Sequence, residues 1–358
     1  MSGLAAPVDP PSLVCVTGAN GYIASHLIGL LLDAGYRVRG TVRDPSQEAK
    51  TAHLTAMAKE RDAEDRLELV AGDLLKPGSF DDAIAGCEGV FHTAAAVFFA
   101  ADDPQKAIVD PSVDGTRNVF ASIAKAGTVK RVVHTSSMAA VYSFDKPPDH
   151  VYTEADWNDS STVELDAYGL AKVSAEREAL RLTAEVPEDQ RWSLVHLNPG
   201  MVWGPPLIKA HAKASPLLIR DMVSGTRPGT PRLHLGIVDV RDVAAIHLRA
   251  MQHPTASGRY LLIADHAWMP EVAQKLAALF PDLAIKTRTL PKFVVLAAAL
   301  LDKSLNFHQL RKLVGRPMPF DGSRARREFE VIYRSLDETL RDTVEPMVAH
   351  GWARTRKR

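Results

Sequence analysis

Apolar positions along the chain gather into short blocks of β-branched character, separated by longer stretches with helical spacing. Leu13-Val14-Cys15-Val16-Thr17 is apolar up to its last residue, the pattern of a strand covered on both faces. Similar runs at Tyr36–Val42, Arg66–Ala71, Gly89–Thr93, Arg131–Thr135 and Trp192–Leu197 predict further strands. Helical spacing fills the gaps, over Gly21–Ala34, Gln47–Lys59, Ser79–Ala85, Gln105–Ala126 and Glu164–Leu182. Strands separated by helices of this length require right-handed crossovers. They predict an α/β fold, a doubly wound parallel Rossmann sheet with helices on both faces.

The alternation weakens after Pro199. Short strands are expected near Leu233 and at Arg259–Ile263, and helices from Arg241, Pro270 and Pro291. A last helix over Leu336–Met347 opens with Ser335 and Glu338 at capping-box spacing. The expected organisation is a flexible segment 1–11, a Rossmann domain over 12–200, and a smaller C-terminal lobe over 201–350 packed on it. Some segments of that lobe can return to the sheet, and 351–358 make a solvated basic tail.

Composition removes several classes of function. Of 358 residues, 46% are hydrophobic and 24% charged, values of a globular chain. Forty-three Lys and Arg balance 43 Asp and Glu, so nothing in the charge calls for a nucleic-acid or anionic membrane partner. Cys15 and Cys87 are too few for a disulfide framework. The first eleven residues lack the apolar run of an export signal, and Phe293–Leu301 is far shorter than the ~20 residues that span a bilayer. These features predict a cytoplasmic protein. His92, His134, His196 and His247 have no metal-ligand spacing and read as core or strand-end residues. No metal is expected.

Thr17-Gly18-Ala19-Asn20-Gly21-Tyr22-Ile23-Ala24 joins the first strand to the first helix. Gly18 permits the tight turn and Gly21 lets backbone N–H groups approach a pyrophosphate at the positive end of the helix. The second strand then ends Val42-Arg43, where a carboxylate for bare ribose hydroxyls would stand in an NAD site. A guanidinium suits a 2′-phosphate instead, with Arg39 and Lys50 able to assist. The expectation is NADP(H), with NAD disfavoured. Asp73, after the third strand, can accept from the adenine amino group or cap a helix.

Two Tyr-x-x-x-Lys pairs occur, Tyr142 with Lys146 and Tyr168 with Lys172. This spacing brings side chains together only on a helix. Pro147 and Pro148 deny Lys146 a helix, whereas Lys172 leads into Val173-Ser-Ala-Glu-Arg-Glu-Ala-Leu180, a strong helix former. A free phenol is a poor proton shuttle at neutral pH, and an ammonium one turn away favours its ionised form. A hydroxyl to hold the substrate oxygen is expected at the end of the strand His134-Thr135-Ser136-Ser137, with Ser137 chosen and Ser136 the alternative.

These stretches, with Gly72-Asp-Leu74, Asn198-Pro-Gly-Met-Val-Trp-Gly-Pro205 and Asp239-Val-Arg-Asp-Val-Ala244, resemble the extended short-chain dehydrogenase/reductase superfamily. The likeness runs from Leu13 to about residue 345. Within the superfamily it leans to the dihydroflavonol-reductase-like branch, with cinnamoyl-CoA reductases and NADPH-dependent aldehyde and ketone reductases. The resemblance implies a catalytic triad of Ser137, Tyr168 and Lys172, acting on a small-molecule carbonyl or alcohol. It implies cofactor contacts from Gly18, Gly21, Tyr22 and Ile23, with Arg43 and Lys50 at the 2′-phosphate and Asp73 and Leu74 at the adenine. Thr93 and Ala94 would lie by the ribose, and Pro199 to Val202 by the carboxamide. Val97, Phe98, Met138, Met201 and Trp203 would wall the substrate pocket.

The polar residue by which flavonoid-specific members read ring hydroxyls has no placed counterpart, which favours a generic carbonyl. Enzymes sharing the fold and triad include NAD-recycling nucleotide-sugar epimerases and dehydratases and 3β-hydroxysteroid-type dehydrogenases; a non-enzymatic cofactor sensor is disfavoured by the intact triad. The sequence leaves monomer and homodimer open.

Overall fold

The computed structural model describes residues 7–95, 103–302 and 305–355. Its centre is a seven-stranded parallel sheet built from β1 (Leu13–Thr17), β2 (Arg37–Val42), β3 (Leu67–Ala71), β4 (Gly89–His92), β5 (Arg131–Thr135) and β6 (Ser193–Pro199). Met201–Trp203 forms β7, Thr230–Pro231 β8 and His234–Asp239 β9; Gly258–Leu262, β10, comes back to the sheet as its seventh strand beside β6. The spatial order β10-β6-β5-β4-β1-β2-β3 is that of a doubly wound sheet.

Helices cover both faces because the inner strands bury residues on both sides. In β1, Val14 and Val16 face one core and Cys15 the other. The first core packs α1 (Tyr22–Asp33) and a later helix, Val240–Gln252, through Leu27, Leu31, Val243 and Ile246. On the other face lie α2's successors: after α2 (Glu48–Lys59) come α3 (Asp81–Ile84), α4 (Asp110–Ala126) and α5 (Val163–Glu185), contributing Ile84, Phe120, Ile123 and Ala179. The stretch expected as one helix from Gln105 starts as a π-helical turn, Gln105–Val109, and becomes α-helical at Asp110. The α4 and α5 pair packs together within the chain.

A second core lies beyond residue 200. There β7, β9 and β11 (Asp265–Trp268) make a small sheet in the order β11-β9-β7. It is covered by α6 (Leu217–Val223), by Met269–Leu279 and by the last helix, Leu336–Ala349, around Trp203, Ile219, Ile237, Leu276 and Leu340. Ser335 caps that last helix as its sequence predicts, accepting from the Glu338 N–H at 3.2 Å. Among the described residues, no helix is long and apolar enough to cross a membrane.

Arg131, at the start of β5, is 1% exposed and joins the sheet to the helix Val240–Gln252. Its guanidinium donates to Ser193 Oγ at 2.8 Å, to the Ala250 and Met251 carbonyls at 3.1 Å, and to the His253 carbonyl. These carbonyls end a helix, where a cation is favourable. Arg131→Met is expected to lower unfolding stability by about 3 kcal/mol, because it leaves buried acceptors without a donor. Urea denaturation checks this; an unchanged midpoint contradicts it.

Candidate active site

The turn after β1 has the conformation its glycines predict. Gly18 has φ +69°, and a side chain there would approach Ala94 to 3.1 Å. Its N–H donates to Thr41 Oγ1 at 3.1 Å, while the Gly21 N–H closes the turn on the Gly18 carbonyl at 2.8 Å. No side chain caps the first turn of α1, so its amides stay available to an anion. Thr17 fixes the neighbouring strand end. Its Oγ1 accepts from the Thr93 and Ala94 amides at 3.1 and 3.0 Å.

A groove of about 710 Å³ runs along these strand ends and brings together Gly18, Gly21, Arg43, Lys50, Asp73, Leu74, Thr93 and Ala94. Among the described residues, neither Arg43 nor Lys50 makes an ion pair, and both are exposed. Asp44, beside them, is committed to its own loop, accepting from Ser46 and from Gln47 at 2.8 Å. Those bonds hold its carboxyl below the usual range. Asp73 caps no described helix: it accepts from the Leu75 N–H at 3.0 Å within the turn after β3, and it lines the groove.

Tyr22 and Ile23, also expected as cofactor contacts, do not line this groove. The Tyr22 side chain is buried and donates to the Gly204 carbonyl at 2.7 Å, tying α1 to the segment after β7. Burial lifts its phenol well above the ordinary value. Ile23 packs on the first core. Both sit on the inner side of the helix, so only their backbone is placed to serve the loop.

At the end of β5 the strand alternation separates the two serines. Ser136 points inward and donates to Glu176, whereas Ser137 borders a cavity of about 620 Å³ that Tyr168 also lines. Ser137 Oγ caps the 3-10 turn Met138–Ala140, accepting from the Ala139 N–H at 3.1 Å.

Tyr168 owes its place to a break in α5. Asp166 has φ −160° and ψ 78°, non-helical values, and its carboxylate accepts from the Gly169 N–H at 3.0 Å. It therefore caps a new helix start within α5. Its other oxygen accepts from Tyr142 at 2.7 Å, and burial raises its pKa. A side chain on Gly169 would come within 2.3 Å of that carboxylate, so the cap requires glycine there. Lys172 follows one turn later, its Nζ 5.8 Å from the Tyr168 ring centre. The competing pair is not on a helix: Tyr142 is spent on Asp166, and Lys146 reaches Asp156 at 3.9 Å.

Lys172 borders a small pocket of about 20 Å³, shared with His92, His134 and Ser136, which has Leu74, Ala94 and Ala95 in common with the groove. Met138, Gly200 and Met201 line the larger cavity. A side chain on Gly200 would lie 2.4 Å from the Gly236 carbonyl, so the backbone itself makes that wall. Pro199 is buried at the end of β6, Val202 is 4% exposed, and neither borders the cavity. Trp203, expected in the pocket wall, belongs to the second core and is fully buried. Trp203 lies on the same face of β7 as Met201, and the residues of the second core cover it. Val97 and Phe98 lie outside the described residues.

Sequence reasoning missed Glu176, Asn198, Asp166 and Arg259. Only Glu176 carried a local signal, since it continues the Tyr168–Lys172 face at i+8. The histidines form a buried row, His92, His134 and His196 being direct neighbours across β4, β5 and β6. His134 and His196 meet through their Nδ1 atoms at 3.1 Å, and His196 Nε2 has no hydrogen-bond partner among the described residues. His247 bridges the Val243 carbonyl at 2.8 Å and Thr135 Oγ1 at 2.7 Å. Burial depresses these rings, His92 to about 3 and His247 to about 4.

A model of the NAD dependent epimerase/dehydratase family matches residues 14–264. The chain belongs to this family. It is 34% identical over 348 residues to tetraketide alpha-pyrone reductase 1 of Arabidopsis thaliana, covering 96% of this chain and 97% of that one. To a cinnamoyl-CoA reductase of Medicago truncatula it is 41% identical over 281 residues, 76% of this chain and 82% of the relative. Among solved structures it is similar to yeast methylglyoxal/isovaleraldehyde reductase Gre2 complexed with NADPH, at a TM-score of 0.78 and 27% identity. That match covers 95% of this chain and 99% of the other. The family member described here thus has reductases of the extended short-chain dehydrogenase/reductase type among its relatives.

The buried histidines set an acid limit on stability. They are neutral in the folded chain, whereas in the unfolded chain they take up protons below about pH 6.5. The unfolded state therefore binds more protons, and stability is expected to fall as pH drops from about 6.5 toward 4. Urea midpoints measured across that interval test it. A midpoint that stays flat or rises on acidification contradicts the assignment.

Proposed function

We propose that this family member is an NADPH-dependent oxidoreductase that reduces an aldehyde or ketone to an alcohol. One observation carries the reading. Ser137 and Tyr168 border one cavity, while Lys172, on the same helix, borders the pocket that adjoins the Gly18–Arg43 groove. The groove suits a dinucleotide: amides at α1 that no described side chain caps, for a pyrophosphate, and Arg43 and Lys50, which make no ion pair among the described residues, for a further phosphate. NADPH bound there would supply the hydride.

The chain's own part is orientation and proton supply. Ser137 Oγ–H donates to the carbonyl oxygen and fixes its direction. Tyr168 gives its phenolic proton to the oxygen as negative charge develops. The Lys172 ammonium, one turn away, favours the phenolate left behind. Met138, Met201, Leu217 and Leu218 give the cavity an apolar stretch of wall, beside polar groups of Ser215, Asp221, Arg227, Asn306 and Gln309. Alcohol oxidation uses the same groups in reverse. The substrate suited to these walls is a carbonyl compound with apolar bulk and polar groups of its own, and reductase relatives support the reaction class.

Tyr168→Phe is expected to lower kcat by ~10²–10⁴-fold while NADPH still binds, since only the proton donor is lost. Undiminished turnover in a carbonyl panel removes Tyr168 from the mechanism. Arg43→Ala is expected to raise the NADPH Kd by ~10-fold or more, the loss of one charge-assisted contact, and to leave NADH nearly unaffected. Titration of cofactor fluorescence reads both constants. Equal weakening of the two cofactors would mean that Arg43 does not meet the 2′-phosphate.

A further inference from the structure

We propose that Glu176 is a positioning residue, holding Ser137 and Tyr168 in fixed relation through a buried carboxylate shared by three strands and a helix. The inference rests on the roles proposed above for those two residues. Glu176 is fully buried and lies on the Tyr168–Lys172 face of α5, two turns beyond Tyr168. One oxygen accepts from Ser136 Oγ–H, at the end of β5, and from Asn198 Nδ2 at 2.8 Å, in β6. The other accepts from Arg259 Nε at 2.5 Å, in β10.

The contacts converge on the backbone that presents Ser137. Asn198 Nδ2, while bonded to Glu176, also donates to the Ser137 carbonyl at 3.1 Å. The Ser136 N–H donates to the Leu197 carbonyl at 2.8 Å, so the residue before Ser137 is held by backbone and side chain together. Arg259 extends the frame. It donates to the Glu154 carbonyl at 3.0 Å, the Asp156 carbonyl at 2.5 Å and the Ala140 carbonyl at 3.1 Å, and it lies 3.8 Å from the Trp157 ring centre. Thus the 3-10 turn that Ser137 caps is gripped at both ends, by Asn198 and by Arg259.

The pairing has a second effect on the helix face. A Lys and a Glu four residues apart on a helix ordinarily attract one another. Here Arg259, Ser136 and Asn198 occupy the Glu176 oxygens, and among the described residues no ion pair joins Lys172 to Glu176. Lys172 stays directed to Tyr168 and to the small pocket. A buried carboxylate tolerates this surrounding only while every partner is kept, so it resists displacement of any one element.

The test uses the full chain with Glu176→Gln and, because that variant leaves the Arg259 charge unmatched, also Ser136→Ala. Three quantities are read for each: NADPH Kd, steady-state kinetics on a carbonyl turned over by the wild type, and amide exchange of the 135–142 segment by mass spectrometry. The expected result is a kcat lowered about tenfold or more in Glu176→Gln and several-fold in Ser136→Ala, as for small misplacements of reacting groups. The NADPH Kd should stay within about twofold, and exchange should quicken in 135–142 while the rest of the sheet keeps its protection. Unchanged kcat together with unchanged exchange in a variant that folds and binds NADPH overturns the proposal. Should Glu176→Gln fail to fold, Ser136→Ala decides alone by the same criteria. If the wild type turns over no carbonyl, the functional reading fails, and the exchange measurement still decides whether Glu176 holds the Ser137 turn.

Discussion

Parallel pairing is the constraint on which this molecule depends. Because β1 to β6 and β10 all run the same way, every strand delivers its carboxyl end to one edge of the sheet. Gly18 follows β1, Arg43 follows β2, Asp73 follows β3, Thr93 follows β4, Ser137 follows β5 and Gly200 follows β6. Residues far apart in the chain meet along that edge because none of their strands has an alternative direction. The groove and the cavity bordered by Ser137 are two stretches of it, and α5 lies across their junction with Tyr168 and Lys172 one turn apart.

Holding such an edge still requires polar groups inside the sheet, where each must find a partner. Thr17 clasps the end of β4 to β1, Arg131 joins β5 to a helix terminus, and Glu176 gathers β5, β6 and β10 beneath α5. None of these is an economical way to gain stability, since apolar replacements of equal shape can serve a core as well. What they supply is direction. Burial of apolar surface is non-directional, whereas the bonds of one carboxylate to three strands have fixed directions. The histidine row belongs to the same interior, where burial depresses the rings' affinity for protons.

The strand order and the glycine turn were readable in the chain because both follow from local rules: apolar blocks, helical spacing, and a turn no larger residue can make. Tyr168 could be separated from Tyr142 by the prolines after Lys146, again a local effect. Side-chain direction was less accessible. Tyr22 and Trp203 stand in stretches that border the groove and the cavity, but tertiary neighbours decide which face is inward, and both face a core. Ser136 and Ser137 could be distinguished only once Glu176 was seen beneath the strand. The kink at Asp166 was hidden for a related reason: its cause, a buried bond from Tyr142, spans 24 residues of sequence.

The most direct measurement is a crystal structure of the full chain with NADP⁺ and an alcohol product bound together. The account predicts the alcohol oxygen within hydrogen-bond reach of both the Tyr168 hydroxyl and Ser137 Oγ, with its carbon against C4 of the nicotinamide and Arg43 on the 2′-phosphate. An alcohol oxygen held by other groups, with the Tyr168 hydroxyl turned away from the nicotinamide, would contradict it.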